Sequence, residues 1–356
     1  FRSPDGPVEE PPIRFENPER RRGREHPDLR PVGPEDGALL RKAWDTARER
    51  HGNEVTFYLP GMIRCSDRRG RYPAVSITGR SCALQCDHCR GRLLDPMIPA
   101  DSPAAWVEKA RRLAGRGNHG ILISGGADAE GRLPWERFAP AIARIARETG
   151  LFLTAHAGFP DAETAGLLRD AGVRQALIDV MGDEETAREI YHLPSLGTVT
   201  RSLDALAAHG PALAPHIVAG LYHGRLRGED RALESLRAYE PAVLVIVVLT
   251  PLPGTPLASS SSPPPLEVAR LIARARILLP EVPISLGCER PRNRAGTAME
   301  ILALRAGVTR MAIWSEEAVL EAQRLGLTPR FQETCCSLPY LERFSCPGPL
   351  PTPDAG

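Results

Sequence analysis

Three cysteines in one short segment are the residues of this sequence that most clearly indicate chemistry. Cys82, Cys86 and Cys89 have the spacing C-x3-C-x2-C and follow the apolar run from Tyr72 to Ile77. Thiolates at this spacing can bind three irons of a [4Fe–4S] cluster and leave the fourth iron open to another ligand. The spacing alone also permits a zinc site with a fourth ligand elsewhere, because zinc favours four Cys or His donors.

The elements that position these cysteines repeat along the chain as an apolar run followed by an amphipathic segment. Several runs, such as Val243 to Leu249, are continuously apolar, which is typical of parallel strands buried on both faces. Eight such units predict a (β/α)8 TIM-type barrel, and an open doubly wound sheet is the alternative. The runs lie near 73–78, 120–124, 151–156, 174–180, 213–220, 242–250, 282–287 and 308–314, and the helical segments near 103–116, 134–149, 160–171, 199–209, 229–239, 263–279, 296–306 and 315–326.

The barrel region, 72–327, is flanked by two extensions. Residues 1–36 are rich in Pro, Arg, Glu and Gly, so we expect a disordered arm that cannot offset the entropy of ordering by burial. Residues 37–71 have helical and then extended patterning and form the predicted N-terminal lead-in. Residues 328–356 form a C-terminal tail that contains two adjacent cysteines.

Charge and composition exclude several classes of protein. The formal charge is +1, from 45 basic and 44 acidic residues, so no overall field attracts nucleic acid or an anionic membrane. No apolar run reaches the roughly 18 residues of a membrane span, and we find no signal peptide. Eight cysteines in 356 residues are too few for a disulfide scaffold. We therefore expect a soluble, cytoplasmic protein.

In a barrel of this kind the active site lies at the carboxyl ends of the strands. Ser124, Gly125 and Gly126 end the second run, where absent side chains let a ligand approach the backbone. Asp179 ends the fourth run and can accept hydrogen bonds from a ribose diol. His156 and His216 end the third and fifth runs, where each is either a hydrogen-bonded rim residue or a ligand.

A second group of cysteines is predicted to meet at the same rim. Cys288 follows the seventh run, and a tail folded over the rim would bring Cys335 and Cys336 to it, with Cys65 arriving from the lead-in. Four thiolates there would bind an auxiliary Fe–S cluster. The alternative is that these are ordinary thiols in the core or at the surface.

The cysteine loop resembles the signature of the radical S-adenosylmethionine (SAM) superfamily. The resemblance implies that Cys82, Cys86 and Cys89 bind a [4Fe–4S] cluster and that the open iron chelates SAM. It also implies a cofactor-binding set around SAM and no catalytic residues beyond the cluster ligands. In that set His88 packs on the adenine, the Gly-rich segment receives the amino end and Asp179 binds the ribose; its members are His88, Ser124, Gly125, Gly126, Asp179 and His216.

Two further segments resemble the biotin-synthase-related branch of that superfamily. These are Thr250-Pro-Leu-Pro-Gly-Thr-Pro-Leu257 and Ile284-Ser-Leu-Gly-Cys-Glu-Arg-Pro-Arg292, and the chain is most similar to a subunit of the split lipoyl synthases. Biotin synthase has auxiliary-cluster cysteines where this chain has Ala127, His156 and Gly220. Ordinary lipoyl synthase has three auxiliary cysteines before the radical loop, whereas this chain has only Cys65.

The resemblance implies sulfur insertion into a protein-bound octanoyl chain, with sulfur taken from the auxiliary cluster. The implied partners are an octanoylated lipoyl-carrier protein, a sister radical SAM subunit and an electron donor such as ferredoxin or flavodoxin. Two alternatives remain open. One is other radical SAM chemistry, namely biotin-synthase-like sulfur insertion, methylation or rearrangement of a small molecule. The other is a metal-binding partner protein without catalytic activity.

Overall fold

The computed structural model describes residues 32–62, 64–65, 68–100 and 102–348, without side chains for 64, 65 and 68. Most of the arm predicted for residues 1–36 therefore lies outside the described residues, and its last three residues open the first helix. The helices are α1 (Pro34–His51), α2 (Pro103–Gly115), α3 (Trp135–Thr149), α4 (Ala162–Asp170), α5 (Gly197–His209), α6 (Glu229–Leu236), α7 (Pro265–Leu278), α8 (Arg294–Arg305) and α9 (Glu316–Arg324).

The strands are short, and most of them are buried. They are β1 (Glu54–Tyr58), β2 (Arg64–Cys65), β3 (Arg68–Arg69), β4 (Ala74–Ser76), β5 (Ile98–Pro99), β6 (Gly120–Ser124), β7 (Phe152–His156), β8 (Gln175–Asp179), β9 (Ala212–Ala219), β10 (Leu244–Val248), β11 (Ile284–Leu286), β12 (Arg310–Ala312) and β13 (Thr328–Gln332). A π-helical turn, Thr186–Ile190, lies between β8 and α5.

Eleven of the strands form one sheet in the order β13-β1-β12-β11-β10-β9-β8-β7-β6-β4-β5. Every pairing in this sheet is parallel. From β4 and β6 to β12 the strands follow one another in chain order, each with its predicted helix. A doubly wound sheet would reverse direction at a switch point. The predicted α/β barrel architecture is confirmed.

Three strands of the sheet are not among the eight predicted runs: β5 at the edge beside β4, and β1 and β13 beyond β12. β1 lies between β12 and β13, and β13 pairs with it so that Tyr58 lies opposite Gln332. Beyond β13 the two sides of the curved sheet meet, where Arg71 N–H donates to Glu333 O over 3.2 Å. The Arg71 side chain also pairs with the Glu333 carboxylate at 3.0 Å. The extra strands widen the space that the sheet encloses, because a barrel's diameter grows with its strand number.

That space is filled by the residues after β13, Thr334 to Leu338, which we call the interior segment. Ser337 O accepts hydrogen bonds from Gln175 Nε2 at 3.1 Å and Arg310 Nη1 at 2.8 Å. Tyr58 Oη donates to Leu338 O over 2.8 Å. These donors satisfy backbone carbonyls that would otherwise be costly to bury. The interior segment thereby carries Cys335 and Cys336 into the sheet's inner face.

The two faces of the sheet bury different sets of residues. Successive side chains of a strand point to opposite faces, so on β8 Ala176 and Ile178 pack under the helices while Leu177 points inward. The inner cluster is small and consists of Tyr58, Leu177, Ala214, Val243, Val245, Val247, Ala312 and Cys336. No helix in the described part of the chain is long and apolar enough to cross a membrane.

A buried ion pair holds the segment after β11 to the end of β12. The Arg290 guanidinium donates to Gly287 O at 2.6 Å, to Ala312 O at 2.7 Å and to Glu300 Oε1 at 2.6 Å. Its side chain is fully buried, and that of Glu300 nearly so. Cys288 lies between Gly287 and Arg290, so this pair fixes the position of that cysteine.

We expect Arg290→Met to lower the free energy of unfolding by about 3–5 kcal/mol, because it leaves the Glu300 carboxylate buried without its partner. Urea unfolding followed by circular dichroism measures this change. Arg294→Met, at the exposed start of α8, is the matched control. A loss below about 1 kcal/mol, the size expected of a surface ion pair, would contradict the prediction.

Candidate active site

The cysteine loop after β4 is held by the segments that follow β6 and β8. Ala83 N–H donates to Ala127 O over 2.7 Å, and Asp87 N–H donates to Ile190 O over 2.8 Å. The His192 imidazole pairs with the Asp87 carboxylate at 3.1 Å. The loop is therefore fixed by neighbouring strand ends, as an active-site loop at the carboxyl side of a barrel should be.

Gly126 is required by the cysteine loop itself. A Cβ at this position would lie 1.9 Å from Ser81 O and 2.5 Å from Cys82 Cα. Its N–H donates to Thr78 Oγ1 over 2.6 Å. The sequence analysis explained this glycine by a ligand's approach, whereas the structure shows that the loop carrying the first cysteine occupies the space.

The three cysteines of the loop face a common cleft. Cys82 is half-buried, and Cys86 and Cys89 are 6% and 9% exposed. A hydrogen bond between Cys86 and Cys89, the largest effect on either thiol, lowers the pKa of Cys89 to about 4 and raises that of Cys86. The donor set is thus soft sulfur with one thiolate formed readily, which fits an Fe–S cluster.

Among the described residues, no group of three or more His, Cys, Asp or Glu is arranged to hold one metal ion. His88, between the last two cysteines, has a buried Nδ1 with no hydrogen-bond partner. Its ring centroid lies 5.0 Å from that of Tyr191. An unsatisfied buried nitrogen is what a polar ligand in this cleft would pair with.

Asp179 is the centre of a small polar network at the end of β8. Tyr191 Oη donates to Asp179 Oδ2 over 2.7 Å, and His156 Nε2 lies 3.5 Å from Asp179 Oδ1. Burial opposes ionisation of this carboxyl, but nearby His156 and His216 and the Tyr191 hydrogen bond lower its pKa overall. The group is therefore a carboxylate, as a ribose-binding role requires.

Tyr191 was missed by the sequence analysis. It directly follows the π-helical turn Thr186–Ile190, a type of turn that is rare and is frequent at functional sites. No periodicity in the sequence marks that turn, so the contact of Tyr191 with Asp179 could be found only in three dimensions.

His156 and His216 lie on either side of Asp179. His216 is opposite Asp179 in the β8–β9 register, and the two imidazole centroids are 5.6 Å apart. His216 Nδ1 lies 3.0 Å from Ala214 O. Burial, with the neighbouring His156, lowers the pKa of His216 to about 4, so this ring is neutral near pH 7.

The cleft has a cavity volume of about 180 Å³ and opens to solvent. It brings together all but one member of the predicted cofactor-binding set with the three cysteines of the loop. The exception is His216, which lies on β9 opposite Asp179. The lining includes Cys82, Cys86, His88, Cys89, Ser124, Gly125, Gly126, His156, Asp179 and Tyr191, with apolar Leu84, Leu93, Leu94, Met97 and Phe159.

Three of the four predicted auxiliary cysteines converge inside the barrel. Cys336 is buried in the inner cluster, and Cys288 and Cys335 pack against that cluster. Ser337 Oγ donates to Cys335 Sγ over 3.3 Å. Burial and then the neighbouring Cys335 raise the pKa of Cys288 to about 11. The Cys65 side chain is outside the described residues, so its predicted role stays a prediction.

Solved structures share the fold. The crystal structure of methylornithine synthase matches with a TM-score of 0.59 and 17% identity, over 86% of this chain and 95% of that one. The FeFe-hydrogenase maturase HydG from Carboxydothermus hydrogenoformans matches with a TM-score of 0.59 and 16% identity, over 89% and 76%. At these identities the likeness concerns the fold alone.

Sequence relatives define the class further. The Biotin and Thiamin Synthesis associated domain matches residues 245–336, from β10 to Cys336. Biotin synthase of Geobacter sulfurreducens is 30% identical over 220 residues, 60% of this chain and 64% of that protein. Biotin synthase of Nitrosopumilus maritimus is 27% identical over 237 residues, 64% and 71%. The match to the first of these thus spans less than two thirds of its length.

The three-cysteine loop and these sequence matches make the chain similar to the radical SAM superfamily, and within it to the biotin-synthase-related branch. That similarity implies a [4Fe–4S] cluster and SAM as cofactors, and the sulfur donors and cleft described above fit both.

We expect Gly126→Ala to displace the cysteine loop, because the added Cβ would overlap backbone atoms that cannot rotate away. Anaerobically reconstituted protein should then contain less iron than the parent, by the amount of one cluster, and should bind SAM weakly. The control is Gly115→Ala at the end of α2, where an added Cβ meets nothing within 4 Å. Full iron and SAM binding in Gly126→Ala would refute the packing argument.

Proposed function

We propose that this protein is a radical SAM sulfurtransferase that inserts sulfur at unactivated C–H positions of a protein-bound octanoyl chain. The observation that carries the proposal is the presence of two separate cysteine groups on one barrel. Cys82, Cys86 and Cys89 line the open cleft, while Cys288, Cys335 and Cys336 gather on the inner face of the sheet. Sulfur insertion needs both a radical source and a nearby sulfur donor.

The first group would hold the [4Fe–4S] cluster, and its open iron would hold SAM. When bound, this pair supplies an electron that cleaves SAM to methionine and a 5′-deoxyadenosyl radical able to take hydrogen from carbon. The chain's own contribution is to bind and orient. Asp179 accepts hydrogen bonds from the ribose, His88 offers its unpaired nitrogen, and the Ser124-Gly125 backbone leaves room for the amino-acid end of SAM.

The second group would hold the auxiliary cluster that provides sulfur. His156 connects the two groups, because it lines the cleft and also lies close enough to Cys335 for their charges to interact. Sulfur and radical would thus be held close together in one barrel, which limits side reactions of a carbon radical.

Apolar side chains at the cleft favour an acyl chain as substrate. Leu84, Leu94, Met97 and Phe159 line it, and Leu93 at its edge is 38% exposed. Leu93 is the exposed large apolar residue of the described part of the chain, and we assign it to contact with the acyl chain. The proposed partners are an octanoylated lipoyl-carrier protein, a sister radical SAM subunit, and ferredoxin or flavodoxin as electron donor.

A second candidate function is sulfur insertion into a small molecule, as in biotin synthase, which the sequence relatives favour.

The two candidate functions differ in the substrate that receives sulfur. Anaerobic protein with reductant and SAM should convert an octanoyl-lysine peptide to a thiolated peptide, seen by mass spectrometry, and release 5′-deoxyadenosine. The matched control is the same peptide with unmodified lysine. Release of 5′-deoxyadenosine without sulfur on the peptide would reject the acyl substrate and leave radical formation standing.

Substitutions in the two cysteine groups should have different effects on the two products. We expect Cys335→Ala to reduce thiolated peptide at least tenfold while 5′-deoxyadenosine formation continues, because the SAM cleft is unchanged. Cys89→Ala should abolish both products. Both are measured by chromatography of one reaction. Parallel loss of 5′-deoxyadenosine in Cys335→Ala would show that the inner cysteines serve radical formation and not sulfur transfer.

A further inference from the structure

We propose that the auxiliary cluster of this protein is bound by nitrogen as well as sulfur, with Cys288 and Cys335 as the sulfur ligands and His156 and His216 as the nitrogen ligands. This inference rests on the proposed function, which places an auxiliary cluster in the barrel. It differs from the four-cysteine set expected from the sequence, because Cys65 and Cys336 are not ligands.

The cysteines of the inner face differ in their exposure to solvent. Cys288 and Cys335 are partly exposed, whereas Cys336 is 3% exposed and packed into the inner apolar cluster. A ligand must present its sulfur to open space, so Cys335 is the better ligand of the adjacent pair and Cys336 is its packing partner.

In each histidine one ring nitrogen faces an acceptor. His156 Nε2 faces Asp179 Oδ1 at 3.5 Å, and His216 Nδ1 faces Ala214 O at 3.0 Å. Histidines that bind metals usually donate their second ring N–H to a carboxylate or a backbone carbonyl, which fixes the tautomer and orients the ring. Here that pattern leaves His156 Nδ1 and His216 Nε2 with their lone pairs available to a metal.

Tyr191 completes this arrangement on the side of the carboxylate. It donates to the other oxygen of Asp179 at 2.7 Å, so Asp179 cannot rotate away from His156. Tyr191 and Asp179 therefore act as positioning residues for the imidazole, in addition to the contact of Asp179 with SAM.

The four proposed ligands surround one part of the barrel interior. The two histidines lie on β7 and β9, the strands on either side of β8, and their ring centroids are 5.6 Å apart. In the strand register His156 lies opposite Leu177 and His216 lies opposite Val245. Both of these apolar residues belong to the inner cluster against which Cys288 and Cys335 pack. Two donors for each of two irons is the division found where a histidine pair replaces a cysteine pair on one iron of a [2Fe–2S] centre.

The position of the histidines explains how such a cluster would reach its substrate. His156 lines the cleft, and His216 lies opposite Asp179, another residue of the cleft lining, in the strand register. A cluster on this pair would lie beside the cleft in which the carbon radical is formed.

The test uses the full chain with the SAM cluster removed by Cys82→Ala, Cys86→Ala and Cys89→Ala, so that only the auxiliary cluster remains. Protein grown with ¹⁵N-histidine or with natural histidine is reconstituted with iron and sulfide, reduced and studied by pulsed electron paramagnetic resonance. We expect couplings to histidine nitrogen that change with the isotope. These couplings should be lost in His156→Gln/His216→Gln and kept in His209→Gln, an exposed control at the end of α5.

Iron analysis supplies the second readout. Cys336→Ser and Cys65→Ser should keep the iron, and Cys335→Ser should lose it. An intact cluster without histidine coupling, or loss of iron in Cys336→Ser or Cys65→Ser, would overturn the ligand set and leave the proposed function standing. Absence of iron from the triple cysteine variant would overturn both. The isotope comparison needs no substitution in the barrel interior, so misfolding of a variant cannot decide it.

Discussion

Burial of the interior segment is the constraint on which much of this structure depends. A polypeptide segment inside a barrel must have its carbonyls satisfied by the protein, since each unpaired one costs about 1–3 kcal/mol. Here Gln175 and Arg310 donate to Ser337 O, and Tyr58 donates to Leu338 O. These donors belong to β8, β12 and β1, so the segment joins distant parts of the sheet. It also determines where Cys335 and Cys336 lie.

The same constraint explains why β1 and β13 are added to the sheet. An eight-stranded barrel has an interior just wide enough for its own side chains. Insertion of β1 and β13 beside β12 widens the sheet, and the interior segment, which directly follows β13, fills the added space. The small inward residues Ala214 and Ala312 leave room for it. The added strands thus enlarge the barrel interior, and the interior segment fills the space that they create.

The two candidate metal sites differ in how they are built. The cysteine loop is a local feature whose ligands lie within eight residues, and its neighbours Gly126 and Ala127 support it through the backbone. The inner site is assembled from residues far apart in the chain, with Cys288 held through Arg290 and Cys335 carried by the interior segment. Asp179 links them, because it lines the cleft beside the cysteine loop and also lies 3.5 Å from His156. We therefore expect a change at Asp179 to affect both candidate sites.

Residue order alone determined the local features of this protein. The continuous apolar runs indicated eight parallel strands because burial on both faces leaves no polar alternation, and all eight are present from β4 to β12. The C-x3-C-x2-C spacing indicated an open-iron cluster because its ligands need no distant partner.

Only the tertiary structure decided which further strands join the sheet and which distant residues meet at the two candidate sites. β1 and β13 carry no helix of their own to mark them as barrel strands, Tyr191 meets Asp179 through a turn without periodicity, and the approach of Cys335 to His156 depends on a segment that crosses the barrel. Such contacts arise from packing between residues far apart in sequence, and no local pattern encodes them.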